Sequence, residues 1–166
     1  METAWTKQLS VGNAFIDSEH QNLVVMIDRI ESMIKAKDTS SLPQELEQFE
    51  HCLCAHFINE ERLARAVNFP FAKNKQEHIL VLKEFQRMKD ELLAKKGVWA
   101  DSTVKHYSNF LSDWLTDHVV REDMLMKPVL QTYDYKFWPG CREGETNYAA
   151  GSTASLYLQL FGTPAP

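Results

Sequence analysis

Cysteine is scarce in this chain. Cys52, Cys54 and Cys141 are its three cysteines in 166 residues. An odd, sparse set does not make a disulfide framework. Cys52 and Cys54, two apart, fall on different sides of a helix. They read as reduced thiols of a cytoplasmic protein. Long apolar runs are missing too: no stretch of about 18 apolar residues is present to span a membrane. The opening Met1-Glu2-Thr3-Ala4-Trp5-Thr6-Lys7 lacks the basic region and apolar core of a signal peptide. There is no long basic run, and the net charge is −5. That argues against nucleic acid or an anionic membrane surface as the main partner. Strand-like alternation of useful length is absent. Two chemical patterns are missing as well. His-Glu-x-x-His does not occur, which removes the zinc-protease helix. No acidic residue lies three before any histidine except Asp17 before His20, which weakens a ferritin-like Glu-x-x-His site.

What remains suits one soluble domain with a sizeable core. The apolar and charged fractions, 44% and 25%, are ordinary. Residues 1–16 read as an N-terminal arm, with Gly12-Asn13 as a turn and Trp5, Leu9 and Val11 able to lie over the end of a bundle. A first helix is expected from Asp17 or Ser18, where Ser18 and Gln21 have capping-box spacing. Leu23, Ile27, Ile30 and Ile34 then recur at helical intervals. Pro43 suits the first turn of a second helix. Leu46, Phe49, Leu53, Phe57 and Leu63 form its apolar side, and Pro70 stops it. A third helix runs from about Ala72 to Lys96, with Gly97 just past its end. A fourth begins at Asp101-Ser102, both good caps. Four helices of roughly 20 residues with short connections predict an all-α, up-down-up-down four-helix bundle. After Tyr133 the composition changes. Four of the six glycines (Gly140, Gly144, Gly151, Gly162) and three of the six prolines (Pro139, Pro164, Pro166) lie there. The tail is expected to be largely irregular, with Ala154–Phe161 its one apolar stretch.

Each helix offers an inward histidine. His56 and Glu60 are four apart, so their side chains stack on one helical face. An imidazole above a carboxylate can hold a transition metal. His20 lies near the start of the first helix, His56 and Glu60 near the end of the second, His78 in the first half of the third, and His118 near the end of the fourth. In an up-down bundle these positions share one end. Asp123 is five beyond His118, about 500° around a helix, so it joins them only if the helix ends or distorts over residues 119–122. A lone buried histidine is usually a hydrogen-bonded core residue; the combination reverses that reading for these four. His51 is off the His56 face and reads as solvent-facing or as a group behind a ligand. His106 reads as surface, Glu61 and Asp117 as surface charges. Cys52, Phe57, Phe85 and Trp114 read as core.

At this point the chain resembles the hemerythrins, specifically the bacteriohemerythrins, over about residues 5–125. The resemblance rests on Trp5 and Gly12, Ile16-Asp17-Ser18-Glu19-His20, His56-Phe57-Ile58-Asn59-Glu60-Glu61, Phe69-Pro70, and Trp114-Leu115-Thr116-Asp117-His118 followed by Asp123. It implies a non-haem di-iron centre, oxo- or hydroxo-bridged, that binds O2 reversibly and accepts small ligands such as azide or NO. His20 and His56 would hold one iron, His78 and His118 the other, with Glu60 and Asp123 bridging. Ile27, Ile30, Leu53, Phe57, Leu82 and Leu115 would wall a dry pocket. Residues 1–133 would be the di-iron domain and 134–166 a tail or linker.

The departure is at Asn74. The family pattern on the third helix is His-x-x-x-His, and here Asn74 precedes His78 at that spacing. An amide oxygen is a weaker donor to iron than an imidazole nitrogen. Asn74 therefore reads as a weak ligand, or as a hydrogen-bonding partner to whatever occupies that position. The expected function is an oxygen or redox sensor input module without catalysis of its own, serving an attached output domain such as a diguanylate cyclase or a chemotaxis receptor. Two alternatives stand beside it: a free-standing O2 carrier or store, and a di-iron enzyme acting on peroxide or nitric oxide.

Overall fold

The computed structural model describes residues 5–140 and 152–162. Cys141, Gly144, Gly151, Pro164 and Pro166 lie outside the described residues. Four long helices dominate: α1 (Ala14–Ala36), α2 (Leu42–Ala66), α3 (Ala72–Lys95) and α4 (Asp101–Arg121). A 3-10 turn over Lys7–Leu9 precedes them. A second 3-10 turn, Asp123–Met126, runs into the one-turn α5 (Lys127–Leu130). A short α6 spans Thr153–Phe161. No strand occurs among the described residues.

Cross-helix contacts fix the directions. Glu19 of α1 meets His56 of α2, while Arg29 meets Glu45, so α1 and α2 are antiparallel. Lys75 of α3 reaches Glu61, and Lys89 reaches Glu50, so α2 and α3 are antiparallel. His20 meets Asp123 at one end and Lys37 meets Asp101 at the other, which sets α4 against α1. This is the expected up-down-up-down bundle. Its core is the set of residues that helical periodicity selects. Ile27, Ile30 and Ile34 of α1, Phe49, Leu53 and Phe57 of α2, Phe85 and Met88 of α3 and Leu111 of α4 are fully buried.

The start of α1 differs from expectation. The helix begins at Ala14, and Asn13 caps it, its side chain accepting from the Phe15 and Ile16 N–H groups. Ser18 is exposed inside the helix. Asp17 instead ties down the arm, accepting from Ser10 Oγ, the Val11 N–H and Tyr135 Oη. Gly12, at φ +88°, makes the turn between them, a backbone state that glycine adopts without penalty. At α4 the cap is Ala100, with no side-chain bond; Asp101 is the first helical residue and favours that end through its charge. α2 has Pro43 in its first turn, as expected. α3 closes on Lys96 and Gly97, both at positive φ.

The apolar stretch of the tail is α6, and it packs across α2. Leu156 and Leu160 are buried there. Tyr157 Oη donates to Glu50 at 2.7 Å, and Lys89 of α3 donates to the other oxygen of Glu50 at 2.6 Å. His51 is half-buried beneath the start of α6, with Nδ1 3.4 Å from Thr153 Oγ1.

Candidate metal centre

Helix ends, not loops, carry the cluster. α1 delivers His20 from its second turn, α2 delivers His56 and Glu60 from its C-terminal half, and α3 delivers His78 from its second turn. α4 delivers His118 just before it ends at Arg121. The backbone tightens to 3-10 geometry at Asp123, which turns that carboxylate back toward His118. The break expected over residues 119–122 is therefore present. Without it a spacing of five would point Asp123 away.

The six side chains converge in two groups that share a carboxylate. His20, His56, Glu60 and Asp123 bring one donor atom each within 4.8 Å of one another, and so do Glu60, His78 and His118. His20 Nε2 lies 3.3 Å from Asp123 Oδ2, and His118 Nε2 lies 3.1 Å from Asp123 Oδ1. Glu60 Oε2 is 3.2 Å from His78 Nε2 and 4.0 Å from both His56 Nε2 and His118 Nε2. Asp123 thus turns one oxygen to each group, and Glu60 belongs to both.

Burial makes this arrangement costly unless a cation completes it. All six residues are buried, Glu60 and Asp123 completely. His20 Nε2, His56 Nε2 and both oxygens of Glu60 and of Asp123 have no hydrogen-bond partner. Buried polar groups are normally paired, and an unpaired buried carboxylate costs several kcal/mol, roughly. His78 Nε2 and His118 Nε2 face each other at 3.1 Å, a contact that needs a shared proton or a metal between them. Imidazole nitrogens with carboxylate oxygens are a donor set for a first-row transition metal. The residues fit such an ion.

Without metal the groups pull one another's titration apart. Burial pushes Glu60 up, but His118, His78 and His56 outweigh it and hold the carboxyl well below the usual range. Burial lowers the His78 imidazole, and Glu60 only partly offsets this. Burial also opposes charge on His118, yet Asp123 and Glu60 raise it to about 10. Of the facing pair, then, His118 takes the proton, and a metal ion would have to displace it.

Three neighbours complete the site. Glu19 stands in the Ile16–His20 stretch that carries the resemblance, but no role was assigned to it from the sequence. Its Oε2 accepts from His56 Nδ1 at 3.0 Å, and its Oε1 accepts from Asn59 Nδ2 at 2.6 Å. That bond puts the proton of His56 on Nδ1 and leaves Nε2 free to bind a metal. Phe57 stacks on His78, centroids 3.7 Å apart and planes 6° apart. Trp5 lies over His20 at 5.7 Å, so the arm does reach the end of the bundle.

Other expectations sort cleanly. Ile27, Ile30, Leu53, Phe57, Leu82 and Leu115 are all buried. Asn74 is buried one turn before His78, and its Nδ2 has no partner. His106 is exposed. Asp117 pairs with Arg121 on the surface, and half-buried Glu61 pairs with Lys75 and Arg65. Phe85 is core, whereas Trp114 is only half-buried. Its ring stacks on His118 at 5.2 Å and lines a cleft. Cys54, not Cys52, is the fully buried thiol.

Comparison with known proteins agrees with this geometry. The sequence model of the hemerythrin HHE cation binding domain matches residues 11–130. A bacteriohemerythrin of Aquifex aeolicus (strain VF5) is 27% identical over 118 residues, covering 70% of this chain and 88% of its own length. One from Stenotrophomonas maltophilia (strain R551-3) is 21% identical over 155 residues, 93% of this chain and 96% of its own. One from Methylococcus capsulatus (strain ATCC 33009 / NCIMB 11132 / Bath) is 24% identical over 138 residues, 76% of this chain and 95% of its own. No solved structure gives a significant match.

Proposed function

The chain belongs to the hemerythrin family, and from that premise we propose that His20, His56, Glu60, His78, His118 and Asp123 hold two non-haem irons at which O2 binds. The observation that carries this is the paired cluster: two buried donor groups joined by Glu60, with Asp123 turned to both and most of their atoms unpartnered. Iron so held supplies the electrons for reversible O2 binding. Everything else is the work of the chain. Glu60 and Asp123, both completely buried, would offset part of the metal charge. Glu19 orients His56 through Nδ1. The Ile27, Ile30, Leu53 and Leu115 side chains keep water and stray protons away from the cluster.

The finer reading is a redox-responsive domain, suited to sensing more than to carriage. It rests on Asn74, which stands where a third imidazole would otherwise bind the iron of His78 and His118. A centre with one imidazole fewer is less protected against loss of its electrons. A second reading, a free-standing O2 carrier or store, has its own support. The bacteriohemerythrins of Aquifex aeolicus and Stenotrophomonas maltophilia are matched over 88% and 96% of their lengths, and α6 packs on α2 of the same bundle.

Anaerobic absorption spectra of the reduced protein, before and after O2, test both readings. Oxo-bridge absorption after oxidation is expected, and its absence would sink the iron centre. For the sensor reading, the oxygenated form of the native protein decays several-fold faster than that of Asn74→His. Equal persistence would favour the carrier.

A further inference from the structure

The two metal positions are not enclosed alike. His20 is fully buried and roofed by Trp5. On the other side, α3 and α4 meet mainly through long side chains: Tyr107 to Glu91, His78 to His118, and Lys73 to Glu122. A cleft of about 1200 Å³ runs along α4, walled by α3 and by Thr6, Gln8 and Leu9 of the arm. Its lining includes Lys73, Glu77, Phe110, Trp114 and His118, so it reaches a ligand of the second group directly.

Asn74 sits between Lys73 and Glu77 in sequence, on the buried face that also presents His78. It is 2% exposed and its Nδ2 has no hydrogen-bond partner. An amide N–H buried without an acceptor costs free energy, and such groups usually mark a partner that completes them. Glu60, His78 and His118, with Asp123, supply at most four protein donors to the metal on this side. A six-coordinate ion keeps positions for other ligands.

We propose that the metal held by His78 and His118 takes a small exogenous anion, admitted through the α3–α4 cleft, and that Asn74 donates from Nδ2 to it. The ligand class is a small monoanion with an acceptor atom to spare beyond the one that binds the metal. Azide is the probe. Asn74 is then a specificity residue: it favours ligands that accept a hydrogen bond over a bare diatomic. The inference rests on the two-metal reading above, and its test separates the two.

The ferric, iron-loaded chain is titrated with azide, followed by ligand-to-metal charge-transfer absorption, with iron per chain measured on the same sample. Asn74→Ala removes the donor and leaves room at the metal. Its azide affinity falls by roughly ten- to a hundredfold, the worth of a hydrogen bond to a charged group, at unchanged iron content. Asn74→His fills the position and removes azide binding there. Cobalt(II) in place of iron gives a second readout: azide perturbs the d–d spectrum of the native chain at both metals and that of Asn74→His only at the His20–His56 metal, so the variant titrates with one azide fewer. If Asn74→Ala folds poorly by circular dichroism, Asn74→Leu, of near-native size and without a donor, takes its place. Two irons with undiminished azide affinity in both donor-free variants would overturn the role of Asn74 and leave the metal centre standing. A native chain that binds no iron would overturn both.

Discussion

Removing Glu19 should weaken one metal position and spare the other. Glu19 sits outside the cluster, yet it holds His56 through Nδ1 at 3.0 Å while Asn59 holds Glu19 at 2.6 Å. Glu19→Ala frees the His56 ring to rotate and to take the wrong tautomer. Losing such a carboxylate behind a metal-bound histidine costs about 10- to 100-fold in metal affinity. The Glu19 side chain is 31% exposed, so water refills part of the gap. The lower end applies, about tenfold or ~1.4 kcal/mol. Competition with a chelator, under anaerobic conditions with iron(II), reads this out. The native chain should release its metals together. Glu19→Ala should show one weakened equivalent, assigned to His20 and His56, and one near-native equivalent on the His78 side. Asn59→Leu, which leaves the Glu19–His56 bond in place, should change affinity far less. Two native-strength equivalents in Glu19→Ala would refute the role given to this carboxylate.

Two further outcomes follow from the burial pattern. Stripping the metal should lower stability by about 3–5 kcal/mol, because Glu60 and Asp123 are then buried without an adequate counter-charge; urea denaturation with and without chelator measures this, and equal midpoints would contradict it. The tail contact should fail in strong base. Burial, and then its hydrogen bond to Glu50, push the Tyr157 hydroxyl far above its ordinary value. A raised folded-state value leaves stability intact below the unfolded value of about 10 and erodes it as pH climbs above that. Between pH 8 and 11 the native chain should lose more stability than Tyr157→Phe, by denaturant midpoint, and parallel losses would show that Tyr157 carries none of it.

The convergence of these side chains was legible in the sequence because a helix leaves little freedom. His56 and Glu60 at a spacing of four must share a face, and an up-down path must bring the end of α2 beside the start of α1. Asp123 was legible for the opposite reason. A spacing of five cannot share that face, so its use required a helix break, and α4 does end at Arg121. The start of α1 was misplaced because two cap patterns compete within six residues. Ser18 has the local spacing, but Asn13 also donates to the Phe137 carbonyl, and the Ala14 N–H donates to that of Tyr135. Those partners are more than 120 residues away in the chain, and no local pattern reports them.

Glu19 and Asn74 show the same boundary from within the site. Each lies beside or one turn from a histidine that periodicity selects, so their positions could be read. Their partners could not. Glu19 looks like any charged residue at a helix seam until α2 presents His56 and Asn59 to it. Asn74 looks like a lost ligand until its surroundings show a buried N–H with no acceptor, in a helical turn whose Lys73 and Glu77 line an open cleft. Periodicity tells which side chains face inward; it does not tell whether an inward polar group has been satisfied. That second question separates a damaged metal site from one altered to take a different ligand. Both metal positions have two histidines and share the two carboxylates, whereas Asn74 and the cleft-lining His118 lie on one side only. Simple loss of a ligand gives no reason for a buried amide N–H without an acceptor there, whereas an anion at the His78–His118 metal would supply one.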